Sequence, residues 1–438
     1  MLRRKRRSPR KPRVYRIPVE LYLITLAAAF AFSVAISLLN RPEEVSYDVP
    51  HMFGVRDPPF LASTQALDRP AMVSGNRVSI FQNGVEIFPA MLEAISHART
   101  SVHMEMYIFW SDAVGRRFRD ALVERAGQGV EVRLLLDGVG SPKHLTNSDV
   151  ETLRGAGCHV EFFRPIRPWM LDVINRRTHR RILVVDGKVG FTGGVGIAEE
   201  WDGNGDAPDH WRDTVARIEG PAVAQMQSAF GDNWSEVTGD LLVGEKYFPK
   251  LSATGNVLAS VVPSNPRPSS SASQTLYSVA ISAAERTISL SNSYFVPNDE
   301  SVSLLIAASK RGVNVRVLVP GKINDLPVTK AGARSKFGVL LRAGVKIYEY
   351  HPTMMHAKTM VVDGLFATVG STNFDNRSFR YNDEIDLEVY DEDIAGRLEQ
   401  MFETDLTRSR PYTYEQWARR NLWERFTEWV LMPVRSQL

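Results

Sequence analysis

One cysteine in 438 residues, Cys158, excludes an intramolecular disulfide framework and leaves no thiolate cluster to hold a metal. It lies in a Gly-rich turn ahead of an apolar run, the setting of a buried, inert thiol. Acidic residues are missing from the first 17 positions, which hold nine of the 53 Lys and Arg; the other 44 stand against 50 Asp and Glu. The whole chain is at +3, yet residues 18–438 are net acidic at −6. Such a body lacks the broad basic footprint of a nucleic-acid binder, so no nucleic-acid partner is expected.

Charge is also absent from residues 21–39, where Thr25, Ser33 and Ser37 are the only weak polar groups. Nineteen residues in a helix span about 28 Å, close to the hydrocarbon core of a bilayer. A transmembrane helix is expected over 18–40, behind a basic disordered tail at 1–17. A cleaved signal peptide is the competing reading, although its apolar region is usually only about 7–15 residues. The positive-inside rule puts the N-terminus in the cytoplasm and the body on the outer side. The cationic tail would add attraction to anionic lipid, or serve as a topogenic flank only.

Residues 41–75 form a Pro-rich connector. A strand signal at 77–81 precedes helical spacing through Phe88, Met91, Leu92, Ile95 and Ala98, a strand at 102–108, a helix holding Phe118, Leu122 and Ala126, and a buried strand at 130–136. The alternation recurs, which gives an α/β class with a mainly parallel sheet in each half. The halves are a duplication. AISHARTSVHMEMYIF from Ala94 matches AISAAERTISLSNSYF from Ala280 without a gap, and GVEVRLLLDG from Gly129 matches GVNVRVLVPG from Gly312. The expected boundaries are 76–240 and 241–410, with an amphipathic helix over 411–438. The polar, Pro-rich stretch 263–271 reads as a surface loop near the site entrance.

Each copy carries one motif: His179-x-Arg181-x4-Asp186 and His356-x-Lys358-x4-Asp363. In both, Val-Val-Asp-Gly and a small-residue turn follow, and Asp213 falls opposite Glu384. Residues two apart in an extended segment share a face, so each histidine projects with its cation. A neutral imidazole can attack phosphorus and form a phosphohistidine. A second, protonated one can supply the leaving alkoxide's proton, typically worth about 10²–10⁴-fold, while cations hold the nonbridging oxygens. One half cannot supply both histidine roles, which gives the duplication a functional reason. The competing reading makes each histidine a satisfied core residue at a strand start. Neither a metal nor a cofactor is expected.

From about Arg77 to the C-terminus the chain resembles the phospholipase D superfamily, and within it the bacterial cardiolipin synthases. MHAKTMVVDGLFATVGSTNFDNRSF from Met355 carries the likeness most fully. The resemblance implies two duplicated sandwich halves with the active site at a pseudo-twofold interface. It implies His179 as nucleophile and His356 as general acid, in a candidate catalytic set with Arg181, Lys358, Asp186 and Asp363. The two aspartates are expected to anchor the motif rather than carry protons. Arg181, Lys358 and Asn373 would hold phosphate, with Ser371, Asp213 and Glu384 also at the substrate site, and the two acids orienting the imidazoles. The implied activity is phosphatidyl transfer that makes cardiolipin from phosphatidylglycerol, in a bacterial inner membrane. Phospholipase D hydrolysis, a membrane-anchored nuclease and an inactive lipid-binding homologue are the alternatives. The oligomeric state is left open.

The first motif departs from that pattern twice: Arg181 stands where lysine is usual, and Gly196 where the second repeat has Asn373. Two apolar segments suit a lipid substrate. One is the insert between Pro165 and His179, with Trp169, Met170 and Leu171; the other is 417–434, with three tryptophans. Packing against the body explains either segment as well.

Overall fold

The aliphatic and β-branched runs form strands, and the order in which these pair is itself repeated. The first half contains β1 (Val73–Gln82), β2 (Ser101–Met106), β3 (Glu131–Asp137), β4 (His159–Phe163), β5 (Ile182–Val185), β6 (Val189–Gly193) and β7 (Thr214–Glu219), in the spatial order β1-β7-β6-β5-β2-β3-β4. The second contains β8 (Val257–Ser264), β9 (Thr287–Asn292), β10 (Asn314–Pro320), β11 (Lys346–Tyr350), β12 (Lys358–Val362), β13 (Phe366–Gly370) and β14 (Glu384–Tyr390), in the order β8-β14-β13-β12-β9-β10-β11. The second order is the first with every number raised by seven. Strand β15 (Ser409–Tyr412) adds to the edge at β11, and antiparallel pairing of β1 with β8 joins the halves into one 15-stranded sheet.

This structure is a computed structural model. It describes residues 49–65, 69–166, 175–265 and 271–431, with a few isolated positions before residue 49. The chain divides at Arg41 into two units, and the fold described here belongs to the second, Pro42–Leu438. No helix among the described residues is long and apolar enough to cross a membrane. The span expected over 18–40 lies outside them apart from isolated helical positions such as Ile24 and Ala28. The insert's residues 167–174, and 266–270 of the expected entrance loop, also lie outside; Pro263 and Ser264 belong to β8.

The expectation of mainly parallel sheets is corrected. Only β2-β3-β4 and β9-β10-β11 run parallel, each trio being linked by crossover helices. The remaining pairings are antiparallel, because the strands after the trios return through tight hairpins. At the turns, Asp186-Gly187 (φ 53° and 63°) and Asp363-Gly364 (φ 54° and 66°) are left-handed at both positions, the geometry that suits an Asp-Gly hairpin.

Helix Asn83–Ser96 turns Ile87, Phe88, Met91 and Ile95 onto the first parallel trio. A separate apolar cluster draws on both halves, packing Met226 and Phe230 with Ile182, Val184, Val361 and Leu387. The expected single C-terminal helix is instead β15 followed by two short helices, Tyr414–Ala418 and Leu422–Leu431, because Asn421 caps the second one through the Glu424 N–H (2.8 Å). Trp417 packs over Gly338 and donates to the Arg334 carbonyl (2.8 Å), whereas Leu422 is 82% exposed.

Candidate active site

The residue before each histidine makes a short parallel bridge to the other half: Thr178 with Asp383, and Met355 with Arg212. The His179 N–H donates to the Asp383 carbonyl (2.8 Å), and the His356 N–H to the Arg212 carbonyl (2.7 Å). The side chains then cross in the same sense. His179 Nδ1 lies 2.9 Å from both oxygens of Glu384, and His356 Nδ1 lies 2.8 Å from Asp213 Oδ2. Each carboxylate therefore orients the imidazole of the opposite repeat. An ionised acid can only accept from Nδ1–H, and in that state it selects the tautomer that leaves Nε2 with its lone pair.

Around Glu384, Ser371 Oγ donates to Oε2 (2.5 Å) and Asn382 Nδ2 to Oε1 (3.3 Å). Around Asp213, Trp201 Nε1 donates to Oδ2 (2.8 Å) and the Thr214 N–H to Oδ1 (2.7 Å). Gly194, in register with Ser371, has to be glycine because a Cβ there would collide with the Asp213 carboxylate.

The cations differ between the halves. Lys358 Nζ donates to Ser293 Oγ (2.7 Å), which donates to Asn373 Oδ1 (2.8 Å). In the register set by Ala94 and Ala280, Tyr107 takes the place of Ser293. Its ring lies edge-on to His179 (centroids 5.2 Å) and under the Arg181 guanidinium (6.0 Å). Arg181 is 3% exposed; one terminal nitrogen donates to the His179 carbonyl (2.5 Å), while Nε has no partner among the described residues. Gly196 offers no amide in place of Asn373, and a Cβ there would lie 2.9 Å from the Trp201 ring and 3.0 Å from Ile108 Cβ.

The chain has relatives among known proteins. A family model for cardiolipin synthase, PLD-like domain, matches residues 91–234 and 277–406. The cardiolipin synthase of Geobacillus thermodenitrificans is 37% identical over 358 residues, 81% of this chain and 71% of that protein. The major cardiolipin synthase ClsA of Bacillus subtilis is 37% identical over 366 residues, 82% of this chain and 75% of that one. The chain belongs to the cardiolipin synthase family. Among solved structures, phosphatidylserine synthase of Haemophilus influenzae shares the fold, with a TM-score of 0.66 at 15% identity over 86% of this chain and the whole of that one.

Against the expectations for a cardiolipin synthase-type site, His179, His356, Arg181, Lys358, Ser371, Asn373, Asp213 and Glu384 converge, all nine-tenths or more buried. Asp186 and Asp363 do not join them and are corrected out of the catalytic set. They sit in the hairpin turns at the far ends of β5 and β12. Asp186 accepts from the N–H groups of Arg99, Thr100 and Ser101 (2.7–3.1 Å), and Asp363 from those of Glu285, Arg286 and Thr287 (2.8–2.9 Å). Their carboxylates tie the motif hairpin to the start of β2 or β9.

Sequence reasoning missed Tyr107, Ser293, Trp201, Trp211 and Tyr294. The gapless repeat register could have flagged Tyr107 opposite Ser293. It also missed fully buried Arg180, next to His179, whose guanidinium holds the carbonyls of Glu384 (3.3 Å) and Ala229 (2.5 Å).

Burial dominates the electrostatics. It holds His179 well below the ordinary imidazole range, with Arg181, Lys358 and Arg377 adding repulsion. It brings His356 down to about 4, helped by Lys358 and opposed by Asp213, and Lys358 down to about 7. Glu384 rises to about 7 through burial. Burial opposes the Asp213 carboxylate too, but the hydrogen bond and charge of His356, with Lys358, hold it below the usual range. The acid facing His356 is the one kept ionised, and an ionised partner favours an imidazolium.

Proposed function

We propose that this cardiolipin synthase-family enzyme transfers a phosphatidyl group through a covalent phosphohistidine on His179, with phosphatidylglycerol as both donor and acceptor. The observation that carries this reading is the crossed pair of buried, acid-oriented imidazoles beside two buried cations. His179 Nε2 attacks the donor phosphorus, and the bond to the glycerol oxygen breaks as His356 gives that oxygen its proton. A hydroxyl of the second phosphatidylglycerol then attacks phosphorus, its proton passes to His356, and the P–N bond breaks to release cardiolipin. Arg181, Lys358 and Asn373 hold the nonbridging oxygens throughout, with Asp213 and Glu384 as positioning residues. The phosphate also brings negative charge next to the cations that repel a proton from His356, so donor binding itself arms the acid.

The test is product analysis of the purified protein in phosphatidylglycerol vesicles, with His179→Ala and His356→Ala alongside. Cardiolipin plus glycerol, lost in both variants, is the expected result; phosphatidic acid alone would make the enzyme a hydrolase. Full activity in the presence of a chelator is expected from a reaction that runs on histidine. For the membrane, we propose one anchor over residues 18–40 with the body on the outer side. A reporter fused at Leu438 tests this, and a cytoplasmic signal would reverse it.

A further inference from the structure

The pseudo-twofold site is lined unequally. His356, 3% exposed, is enclosed by three rings: Trp201 edge-on at 5.2 Å between centroids, Trp211 tilted at 5.2 Å and Tyr294 edge-on at 6.1 Å. The two indoles also touch each other, at 4.5 Å. The only ring against His179 among the described residues is Tyr107. The repeat supplies the internal comparison. Trp201 lies five residues after Gly196, and Ser378 five residues after Asn373; Trp211 lies two before Asp213, and Asn382 two before Glu384. Both counterparts are polar and hydrogen-bonded, Ser378 Oγ to the Asn373 N–H (3.1 Å) and Asn382 Nδ2 to Glu384 (3.3 Å). Two indoles thus surround one histidine where the other has a hydroxyl and an amide.

We propose that the aromatic collar of Trp211, Trp201 and Tyr294 selects the attacking hydroxyl, keeping water away from His356 while admitting the carbon-bearing alcohol of a glycerol headgroup. The inference rests on the transfer mechanism above and deepens it. In the second step His356 removes a proton from whatever hydroxyl reaches the phosphohistidine; an alcohol then gives the diester and water gives phosphatidic acid. A water against the collar finds none of its two to four polar partners on the side the ring carbons occupy. An alcohol presents the same hydroxyl and packs its C–H groups on the indoles, gaining dispersion contacts that water lacks. Trp211 is half-buried, as is Tyr294, while Trp201 is buried. The residues before Trp211, Asp209 and His210, line an open polar cleft of about 670 Å³ with Glu200, whose carbonyl accepts from the Trp211 N–H (2.6 Å).

The experiment measures phosphatidic acid and cardiolipin made by the full-length enzyme in phosphatidylglycerol vesicles, for the wild type, Trp211→Ala and Trp211→Phe. Trp211→Ala should raise the ratio of phosphatidic acid to cardiolipin on the order of tenfold, the equivalent of letting in one well-bonded water, and Trp211→Phe should keep the wild-type ratio. Both products come from one intermediate, so a loss of folded protein lowers turnover without moving the ratio. Tyr294→Ala opens a different side of the collar and should shift the ratio the same way. An unmoved ratio in both alanine variants would overturn the collar and leave transfer standing. Phosphatidic acid alone from the wild type would instead remove the transferase mechanism.

Discussion

In the transfer proposed above, Arg181 does alone, in the first half, what Lys358 and Asn373 share in the second. Its Nε is buried without a partner among the described residues, and Gly196 has surrendered its side-chain space to Trp201. Arg181→Lys should therefore lower kcat/KM by about tenfold to a hundredfold, the loss of one charge-assisted hydrogen bond. Gly196→Asn should not restore it, because the new Cβ meets Trp201 and Ile108; steady-state kinetics of the single and double variants check both statements. His356 yields a second expectation. Its pKa of about 4 in the free enzyme must rise when the donor phosphate offsets Lys358 and Arg181, so binding at pH 6 takes up a proton. Binding heats of a short-chain phosphatidylglycerol to His179→Ala, in buffers of different ionisation enthalpy, measure this, and zero uptake would remove His356 as the acid. The histidines and their cations were readable from the i, i+2 spacing and the two acids from its repetition, whereas Ser371 and Asn373 came only through the resemblance. Which acid meets which histidine was not readable, since that depends on how the halves face each other and on nothing within either.

The Asp-Gly hairpins show how an element can carry a motif residue that stands apart from the histidines and their cations. Asp363 ends β12 in a left-handed turn and gathers three backbone N–H groups at the start of β9. Asp363→Ala strands those donors and should cost about 3–5 kcal/mol of stability. Enzyme that remains folded should keep its product ratio. Denaturant titration and product analysis separate the two effects, and a folded but inactive variant would return Asp363 to the catalytic set. The strands themselves were legible as short apolar runs, but their direction was not: such a run reads the same whether its neighbour is parallel or antiparallel. The C-terminal stretch showed helical spacing, while the break at Asn421 hung on one cap.

Across the whole molecule the halves are tied at the backbone, through Thr178 to Asp383 and Arg212 to Met355, and by a shared apolar cluster. A mixture of the His179→Ala and His356→Ala proteins should therefore stay inactive, since each chain holds both of its halves. Recovery of cardiolipin synthesis on mixing would mean that halves exchange between chains. The duplication was plain in the sequence because gapless stretches recur, whereas the continuous sheet across β1 and β8 left no mark in either repeat. The crossing also has an evolutionary consequence. An acid in one repeat serves the histidine of the other, so a substitution at Asp213 is felt at His356, and selection must couple distant parts of one gene. Two identical chains meeting at such an interface would have to carry the same residue on both sides of the axis. Fusion into one chain lifts that constraint, and tryptophan can stand at one position while serine stands at its mirror image.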